Sequence, residues 1–265
     1  MKSNVAKILI IAGSDPSGGA GIQADIKTAC VHKTYAAAAI TCLTAQNTKK
    51  VFALHNSPID FLRQQIEVAL DDISFDAIKI GMLGNAEIIE CVADVLFRKA
   101  KKIPLILDTV MVATSGDLLL KKNAVEVLKS KLIKGAFVVT PNVDEAEVLA
   151  EMKITNLHEM KLAATKIKAS GAKNVFLKGG HLNFSDGKIH NILLDEKNKF
   201  HVISNKKFGA ENIHGTGCAL ASALACNVAK KMELVAAAKK ANSYVYQEIV
   251  KSEKVGKGSR VLMHF

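Results

Sequence analysis

A glycine-rich run in the last quarter of this 265-residue sequence is the segment best suited to chemistry. It reads His214-Gly215-Thr216-Gly217-Cys218 and leads into an alanine-rich helical pattern. Glycines before a helix expose backbone N–H groups and add the helix dipole, so the run predicts an anion hole suited to a phosphoryl group in transfer. Cys218 falls in the first helical turn, where the dipole lowers a thiol pKa, whereas nearby phosphates would raise it again, so the sequence leaves the protonation of Cys218 open. A buried cysteine beside a tight turn is the structural alternative.

A second glycine-rich segment runs from Ala12 to Asp25, after an apolar strand pattern and into a helical one. Its four glycines in nine residues allow a tight turn and let a ligand approach main-chain N–H groups at the helix start. The segment lacks the Gly-Lys-Ser/Thr ending of a P-loop and the glycine spacing of a dinucleotide site. It therefore predicts a ligand-binding loop of another kind, with a plain strand-to-helix connection as the alternative.

Polar residues follow several predicted strands, at the edge where open α/β sheets bind their ligands. Gln46, within Thr44–Thr48, offers a donor and an acceptor that suit the edge of a heterocycle. Asp108 and Glu145 lie just past two other strands, where carboxylates suit Mg²⁺ together with phosphates. Lys178 ends a further strand and suits a phosphate.

Each of these signals also has a structural interpretation. Thr44–Thr48 fits a plain polar loop, and a single lysine such as Lys178 is most often solvated surface. Asn142, followed three residues later by Glu145, is an ordinary helix-capping arrangement. The residues alone leave both interpretations open.

The apolar pattern predicts the elements that position these groups. The predicted strands cover 7–12, 36–43, 77–80, 105–107, 137–139, 175–177, 189–194 and 200–204, the last two as a hairpin. The predicted helices cover 21–32, 59–71, 86–100, 122–132, 143–151, 156–169, 216–230 and 233–251. This alternation predicts a single doubly wound α/β domain over residues 1–265, with a mostly parallel central sheet and helices on both faces.

Composition excludes several classes of protein. The net charge is +11, but the lysines are scattered and aromatic residues make up only 5%, so nucleic-acid binding is not expected. Apolar stretches fall short of the roughly 20 residues of a membrane helix, which predicts no membrane partner. Five cysteines without paired spacing fit a reduced compartment and predict a cytoplasmic protein without a zinc site.

In this order and spacing, the motifs resemble those of hydroxymethylpyrimidine/phosphomethylpyrimidine kinases, a family of the ribokinase-like superfamily. The segments Lys79–Leu83 and Asp108–Asp117 add to the resemblance, which runs over nearly the whole chain. It implies a ribokinase-like fold, ATP and Mg²⁺ as cofactors, and a homodimer. It also implies phosphorylation of the hydroxymethyl group of a small pyrimidine, and then of the monophosphate to the diphosphate used for thiamine assembly.

The resemblance also implies roles for residues at matching positions. The residues that would line the pyrimidine site are Gly13, Ala20, Gln46 and Val110. Those that would organise ATP, its phosphates and Mg²⁺ are Asn142, Glu145, Lys178 and Thr216, beside the Asp108 carboxylate.

The anion hole would consist of Gly215, Gly217 and the N–H of Cys218. Most sugar kinases of the superfamily carry an aspartate where Cys218 stands, so a thiolate would take the proton of the attacking hydroxyl here. Phosphoryl transfer has a loose transition state, so positioning and charge stabilisation matter more than base strength. Ile213 and Thr114 depart from the family pattern beside expected ATP contacts.

Two alternatives stay open at this stage. A pyridoxal/pyridoxine kinase shares the fold and, in some members, the cysteine motif, and its substrate is also a flat heterocycle with a hydroxymethyl group. A non-catalytic pyrimidine-binding protein is the alternative from another class, although Gly215, Gly217 and Cys218 argue against it.

Overall fold

The structure, a computed structural model, describes residues 5–111, 120, 122–209 and 213–265. Its strands are β1 (Lys7–Ser14), β2 (Tyr35–Gln46), β3 (Val51–Asn56), β4 (Ala77–Ile80), β5 (Leu105–Leu107), β6 (Val138–Val139), β7 (Asn174–Leu177), β8 (Lys188–Leu194), β9 (Phe200–Lys206), β10 (Ile213–His214) and β11 (Arg260–Val261). Its helices are α1 (Gly21–Val31), α2 (Ile59–Asp72), α3 (Ala86–Lys99), α4 (Lys122–Val127), α5 (Val143–Ala150), α6 (Leu157–Ala169), α7 (Thr216–Ala229) and α8 (Leu234–Val250). After α4 the chain continues through a π-helical turn and a short 3₁₀ turn to residue 135.

Nine of these strands form one sheet in the order β3-β2-β1-β4-β5-β6-β7-β8-β9. The pairs from β2 to β7 are all parallel, while β3, β8 and β9 join antiparallel. The predicted doubly wound, mostly parallel sheet is therefore confirmed. The predicted hairpin is confirmed as well, since β8 and β9 pair from Lys188 with Lys206 to Leu194 with Phe200.

Helices cover both faces of the sheet, which explains why the inner strands are apolar without alternation. On β1, Leu9 and Ile11 pack into the core formed with α2 to α6. Ile8 and Ile10 point the other way, into the core formed with α1, α7 and α8. Helix α7 lies closely against this second face because most of its residues are small, five of the 14 being alanine, and it is buried from Ala219 to Ala229.

Three short strands were not predicted from the sequence. β3 pairs with the end of β2, so Thr44 and Gln46 lie inside a strand, and the prediction that they follow one was wrong. β10 and β11 form a separate parallel pair, in which Ile213 lies beside Arg260. β10 and β11 have two residues each, which is too few to show a hydrophobic period, so long-range pairing alone creates them. β3 has six residues, and its pairing with the end of β2 defines it as a strand.

The strand order reverses at β1, whose neighbours β2 and β4 lie on opposite sides of it. In open α/β sheets, ligands bind outside the carboxyl ends of the strands at such a reversal. The fold therefore directs attention to the loop after β1 and to the ends of the strands beside it. Among the helices in the described ranges, none is long and apolar enough to span a membrane.

Candidate active site

A cavity of about 590 Å³ opens at the carboxyl ends of the parallel strands. The sequence-predicted site residues all line this one cavity, namely Gly13, Ala20, Gln46, Asp108, Val110, Asn142, Glu145, Lys178, Gly215, Thr216, Gly217 and Cys218. They come from segments far apart in the chain. The fold brings them together because parallel strands end at the same sheet edge.

Helix α7 begins against this cavity and has no side-chain cap. Gly215 precedes it with φ +85°, and a Cβ at this position would collide with the carbonyl oxygen of Gly19. The position therefore requires glycine. The first turn of α7 also lacks an acidic residue, so within the part of the chain that the structure describes its first N–H groups are available to the cavity.

Cys218 lies where two helices begin, in the first turn of α7 and beside the first residue of α1. The N–H of Gly21 donates a hydrogen bond to its sulfur. Burial raises the pKa of the Cys218 thiol to about 11, although the Lys79 ammonium and the Gly21 N–H oppose that rise. The lowering expected from a helix start is thus outweighed by burial, and the resting group is a thiol.

Asp15, which was not predicted as a site residue, organises the loop between β1 and α1. Its carboxylate accepts hydrogen bonds from the N–H and hydroxyl of Ser17 and from the N–H of Ala20. His214 Nε2 lies 3.0 Å from this carboxylate and 3.1 Å from the side-chain amide of Gln46. Against the effect of burial, the hydrogen bonds from His214 and Ser17 lower the pKa of Asp15 to about 2. The Asp-Pro-Ser sequence, typical of an Asx turn, was the available signal.

Asp108 and Lys178 form an ion pair beside the start of α7. Lys178 Nζ donates to Asp108 Oδ1 at 3.0 Å, and the Thr140 hydroxyl donates to the same oxygen at 3.1 Å. A carbon added to Gly217 would lie 3.2 Å from Lys178 Nζ and 3.7 Å from Asp108 Oδ2. Burial lowers the pKa of Lys178, but the Asp108 and Glu145 carboxylates raise it above its ordinary value. Lys178 is therefore a charged, half-buried group beside the helix start and not solvated surface.

Helix α5 has a complete capping box. This is the structural interpretation of Asn142 and Glu145 that the sequence had left open beside a role in binding Mg²⁺ and phosphates. The Asn142 side chain accepts from the N–H of Glu145 at 2.8 Å, and the Glu145 carboxylate accepts from the N–H of Asn142 at 2.9 Å. The Thr109 hydroxyl also donates to Glu145 at 3.0 Å, while the N–H of Met111 is 3.4 Å from its other oxygen. Burial raises the pKa of Glu145. Capping is thus present, and it leaves one Glu145 oxygen only weakly bonded.

The carboxylates at this edge fit a magnesium ion that is held mainly by phosphates and water. Among the described residues there is no group of three or more His, Cys, Asp or Glu side chains that could hold a metal ion by itself. Mg²⁺ usually keeps several waters and takes one or two carboxylates plus substrate phosphates. Asp108 Oδ2 and the weakly bonded Glu145 oxygen match that smaller requirement.

Some positions singled out in the sequence fall outside the description of the site. Thr114 and most of the 108–117 segment lie outside the described residues. Ile213, the other departure from the family pattern, is the first residue of β10 and lines the cavity.

The fold and this site together define a ribokinase-like small-molecule kinase. The sheet is doubly wound, and the cavity at its edge holds a glycine helix start without a side-chain cap, beside a thiol and a lysine. Comparison with known proteins identifies its family. The chain belongs to the phosphomethylpyrimidine kinase family, whose sequence profile matches residues 15–263.

Individual relatives cover nearly the whole chain. The hydroxymethylpyrimidine/phosphomethylpyrimidine kinase of Haemophilus influenzae is 40% identical over 99% of this chain and 98% of its own length. The crystal structure of a phosphomethylpyrimidine kinase from Clostridium difficile 630 is 39% identical, with a TM-score of 0.81 over 92% of this chain and 99% of that one. A Staphylococcus aureus pyridoxal kinase in complex with AMP-PCP and pyridoxal is 32% identical, with a TM-score of 0.88 over 98% of this chain and 94% of that one.

Proposed function

We propose that this chain is an ATP- and Mg²⁺-dependent kinase of 4-amino-5-hydroxymethyl-2-methylpyrimidine. It phosphorylates the hydroxymethyl group and then converts the monophosphate to the diphosphate, as a single cytoplasmic domain over residues 1–265. The observation that carries the proposal is the uncapped glycine start of α7, with Cys218 in its first turn and Gln46 in the same cavity. The names of the Haemophilus and Clostridium relatives support the pyrimidine substrate.

The phosphoryl group in transfer lies against the N–H groups at Gly215, Gly217 and Cys218 in this proposal. The hydroxyl of the substrate faces the Cys218 sulfur. The thiol first releases its own proton to solvent, and the thiolate then accepts the proton of the hydroxyl. The new bond between this oxygen and phosphorus forms while the bond between the β- and γ-phosphates breaks. The transition state is loose, so the fixed N–H groups contribute more than the strength of the base.

The pyrimidine lies between the loop after β1 and the end of β2, against Gly13, Ala20 and Val110. Gln46 presents its amide to the ring, because both of its ends are held in place. Its Oε1 accepts from the Thr44 hydroxyl at 3.2 Å, and its Nε2 lies 3.1 Å from His214. A fixed donor and acceptor suit a heterocycle that carries a ring nitrogen next to an amino group.

The nucleotide lies on the other side of the cavity, with its phosphates near Lys178, Thr216 and Asn142. The AMP-PCP bound to the Staphylococcus aureus relative supports ATP as donor. Asp108 and Glu145 would hold Mg²⁺, which neutralises charge on the β- and γ-phosphates when it is bound. Lys178 adds a second positive charge beside the helix start.

A pyridoxal kinase is the second candidate, favoured by the close structural similarity to the Staphylococcus aureus enzyme. Parallel assays of ATP consumption with hydroxymethylpyrimidine and pyridoxine separate the two, with mass spectrometry to identify the products. We expect mono- and diphosphate of the pyrimidine, and no activity in excess EDTA. A preference for pyridoxine of tenfold or more in kcat/KM would overturn the proposed substrate.

We also propose that the kinase is a homodimer. Support comes from two apolar side chains on the edge strand β3, since Phe52 and Leu54 are 61% and 39% exposed. Exposed apolar side chains on an edge of a sheet are typical of contact surfaces. Sedimentation velocity at micromolar concentration is expected to give two chains per particle, and a monomer throughout would contradict the proposal.

A further inference from the structure

Beneath the cavity lies a buried ionic cluster that the steps above do not use. Lys79 on β4 and Asp25 on α1 are both fully buried. The Lys79 ammonium donates to both oxygens of Asp25, at 2.7 and 2.8 Å. The hydroxyl of Ser222 on α7 donates to Asp25 as well, at 2.7 Å. Three elements from both sides of the sheet reversal therefore meet at one carboxylate.

The cluster lies one helical turn below Cys218. Gly21 and Asp25 are four residues apart in α1, and Cys218 and Ser222 are four residues apart in α7. Residues at this spacing share a helix face, about 5.4 Å apart along the axis. The Gly21 N–H contacts the Cys218 sulfur, and the Ser222 hydroxyl contacts Asp25. The two helices are thus joined at successive turns, with the thiol in the upper contact.

Packing alone gives no reason for this pair to be ionic. Burying two charges is costly, and replacing such a pair by apolar residues is often neutral or stabilising. An ammonium has three N–H donors, and within the described ranges the hydrogen bonds of Lys79 go only to Asp25. Lys79 also lines the cavity, and a carbon added to Gly81 would lie 2.8 Å from its Nζ.

The charges that face Cys218 act on it in opposite directions. Lys79 lowers the pKa of the Cys218 thiol, whereas Asp25 and Asp108 raise it. Burial alone lowers the pKa of Lys79, but Asp25, Cys218 and Asp108 raise it above its ordinary value, so the ammonium stays charged. Lys178 is the fourth charged group that interacts with the thiol.

We propose that Lys79, held in place by Asp25, is a positioning residue for the kinase reaction. Its fixed positive charge stabilises the negative charge on the Cys218 sulfur when the thiol has lost its proton. When the thiol is neutral, the Lys79 charge is balanced by Asp25. This inference rests on the proposed function for its catalytic consequence, but its effect on the thiol exists without substrate.

Alkylation of the thiols by iodoacetamide, followed by peptide mass spectrometry, tests the inference without any kinase assay. The thiolate is the reactive form, so Lys79→Met is expected to slow alkylation of Cys218 at pH 8 by about tenfold, as for a shift of one pKa unit. The matched variant Asp25→Asn removes the opposite charge from the same cluster and is expected to accelerate it. Exposed Cys30 serves as an internal reference, and labelling of buried Cys226 reports unfolding.

If the alkylation rate of Cys218 falls in Lys79→Met and rises in Asp25→Asn, the proposal is supported. A merely structural role would change both rates in the same direction. Equal rates, or two shifts of the same sign, overturn the proposal. If Cys226 is alkylated in Lys79→Met, that variant does not fold. The alkylation rate of Cys218 in Asp25→Asn then decides the test alone. Kinase assays on Lys79→Met complete the test, with an expected loss in kcat of at least about tenfold and an unchanged KM for the pyrimidine. A normal kcat with slowed alkylation would overturn the catalytic consequence, while absent wild-type activity would contradict only the proposed function.

Discussion

Helices α5 and α7 both begin at the carboxyl edge of the sheet, but their first turns are built in opposite ways. The α5 start is closed by its own residues, since Asn142 and Glu145 each accept a hydrogen bond from the other's N–H. The α7 start follows Gly215, which has no side chain to cap with. The difference shows which helix start is available to an anion, because N–H groups already paired within the chain cannot bind a ligand.

The largest effect is expected from closing the open start. Gly215→Ala places a carbon against the Gly19 carbonyl oxygen at a φ that disfavours side chains, which moves the turn. Loss of aligned N–H donors costs about 100- to 1,000-fold in kcat, so we expect a loss near the upper end in steady-state assays. Gly187→Ala is the matched control, since Gly187 also has a positive φ, a Cβ there meets nothing within 4 Å, and the residue is not among those that line the cavity. Activity within tenfold of wild type in Gly215→Ala would contradict the importance of the open start.

The next effect concerns the thiol at the open start. The pKa of Cys218 is raised to about 11, so the thiolate fraction grows with pH across the working range. We expect kcat/KM to rise between pH 7 and 9 by up to about tenfold per unit, and Cys218→Ala to lose about 100-fold and the pH dependence. Cys226→Ala, in the same helix but buried away from the cavity, should keep the profile. Identical profiles for wild type and Cys218→Ala would remove the base assignment.

The smallest effect concerns the closed start and decides whether Glu145 serves only as a cap. Glu145→Gln is expected to weaken the apparent affinity for Mg²⁺ by about tenfold in activity titrations, since the variant loses a carboxylate near the metal. It should also lower the free energy of unfolding by about 1 kcal/mol through the weaker capping box. Glu159→Gln is the matched control, because Glu159 lies at the same position of α6, which Asn156 caps. An unchanged Mg²⁺ titration in Glu145→Gln would make the α5 start purely structural.

Much of this site could be predicted because its parts carry local signals. Glycines before Cys218 and polar residues past apolar strands are visible in the sequence, and parallel topology forces the strand ends together. The same logic predicted the parallel sheet and its hairpin. The predicted location of Gln46, after the strand, was wrong because β2 continues to Gln46 by pairing with β3. This extension comes from pairing between strands and not from local propensity.

The contacts that support the site could not be predicted, since they join distant residues. Asp15 and His214 are 199 positions apart, and nothing near either residue indicates the other. The contact of Lys79 could not be predicted either, because its partner Asp25 lies 54 positions earlier, on an element across the sheet reversal. A single lysine within an apolar strand gives no local sign of the charge it meets in the fold.

The small sheet of β10 and β11 bears on how this protein is made. Ile213, two residues before Gly215, is paired with Arg260, so the turn into α7 is fastened by a strand that comes much later in the chain. Ribosomes release residues in order, and structure forms as segments emerge. A nascent chain therefore contains the thiol, the lysines and the glycine loops before β11 is available to pair with β10. The parallel pair that holds the turn into α7 forms only once Val261 has left the ribosome exit tunnel.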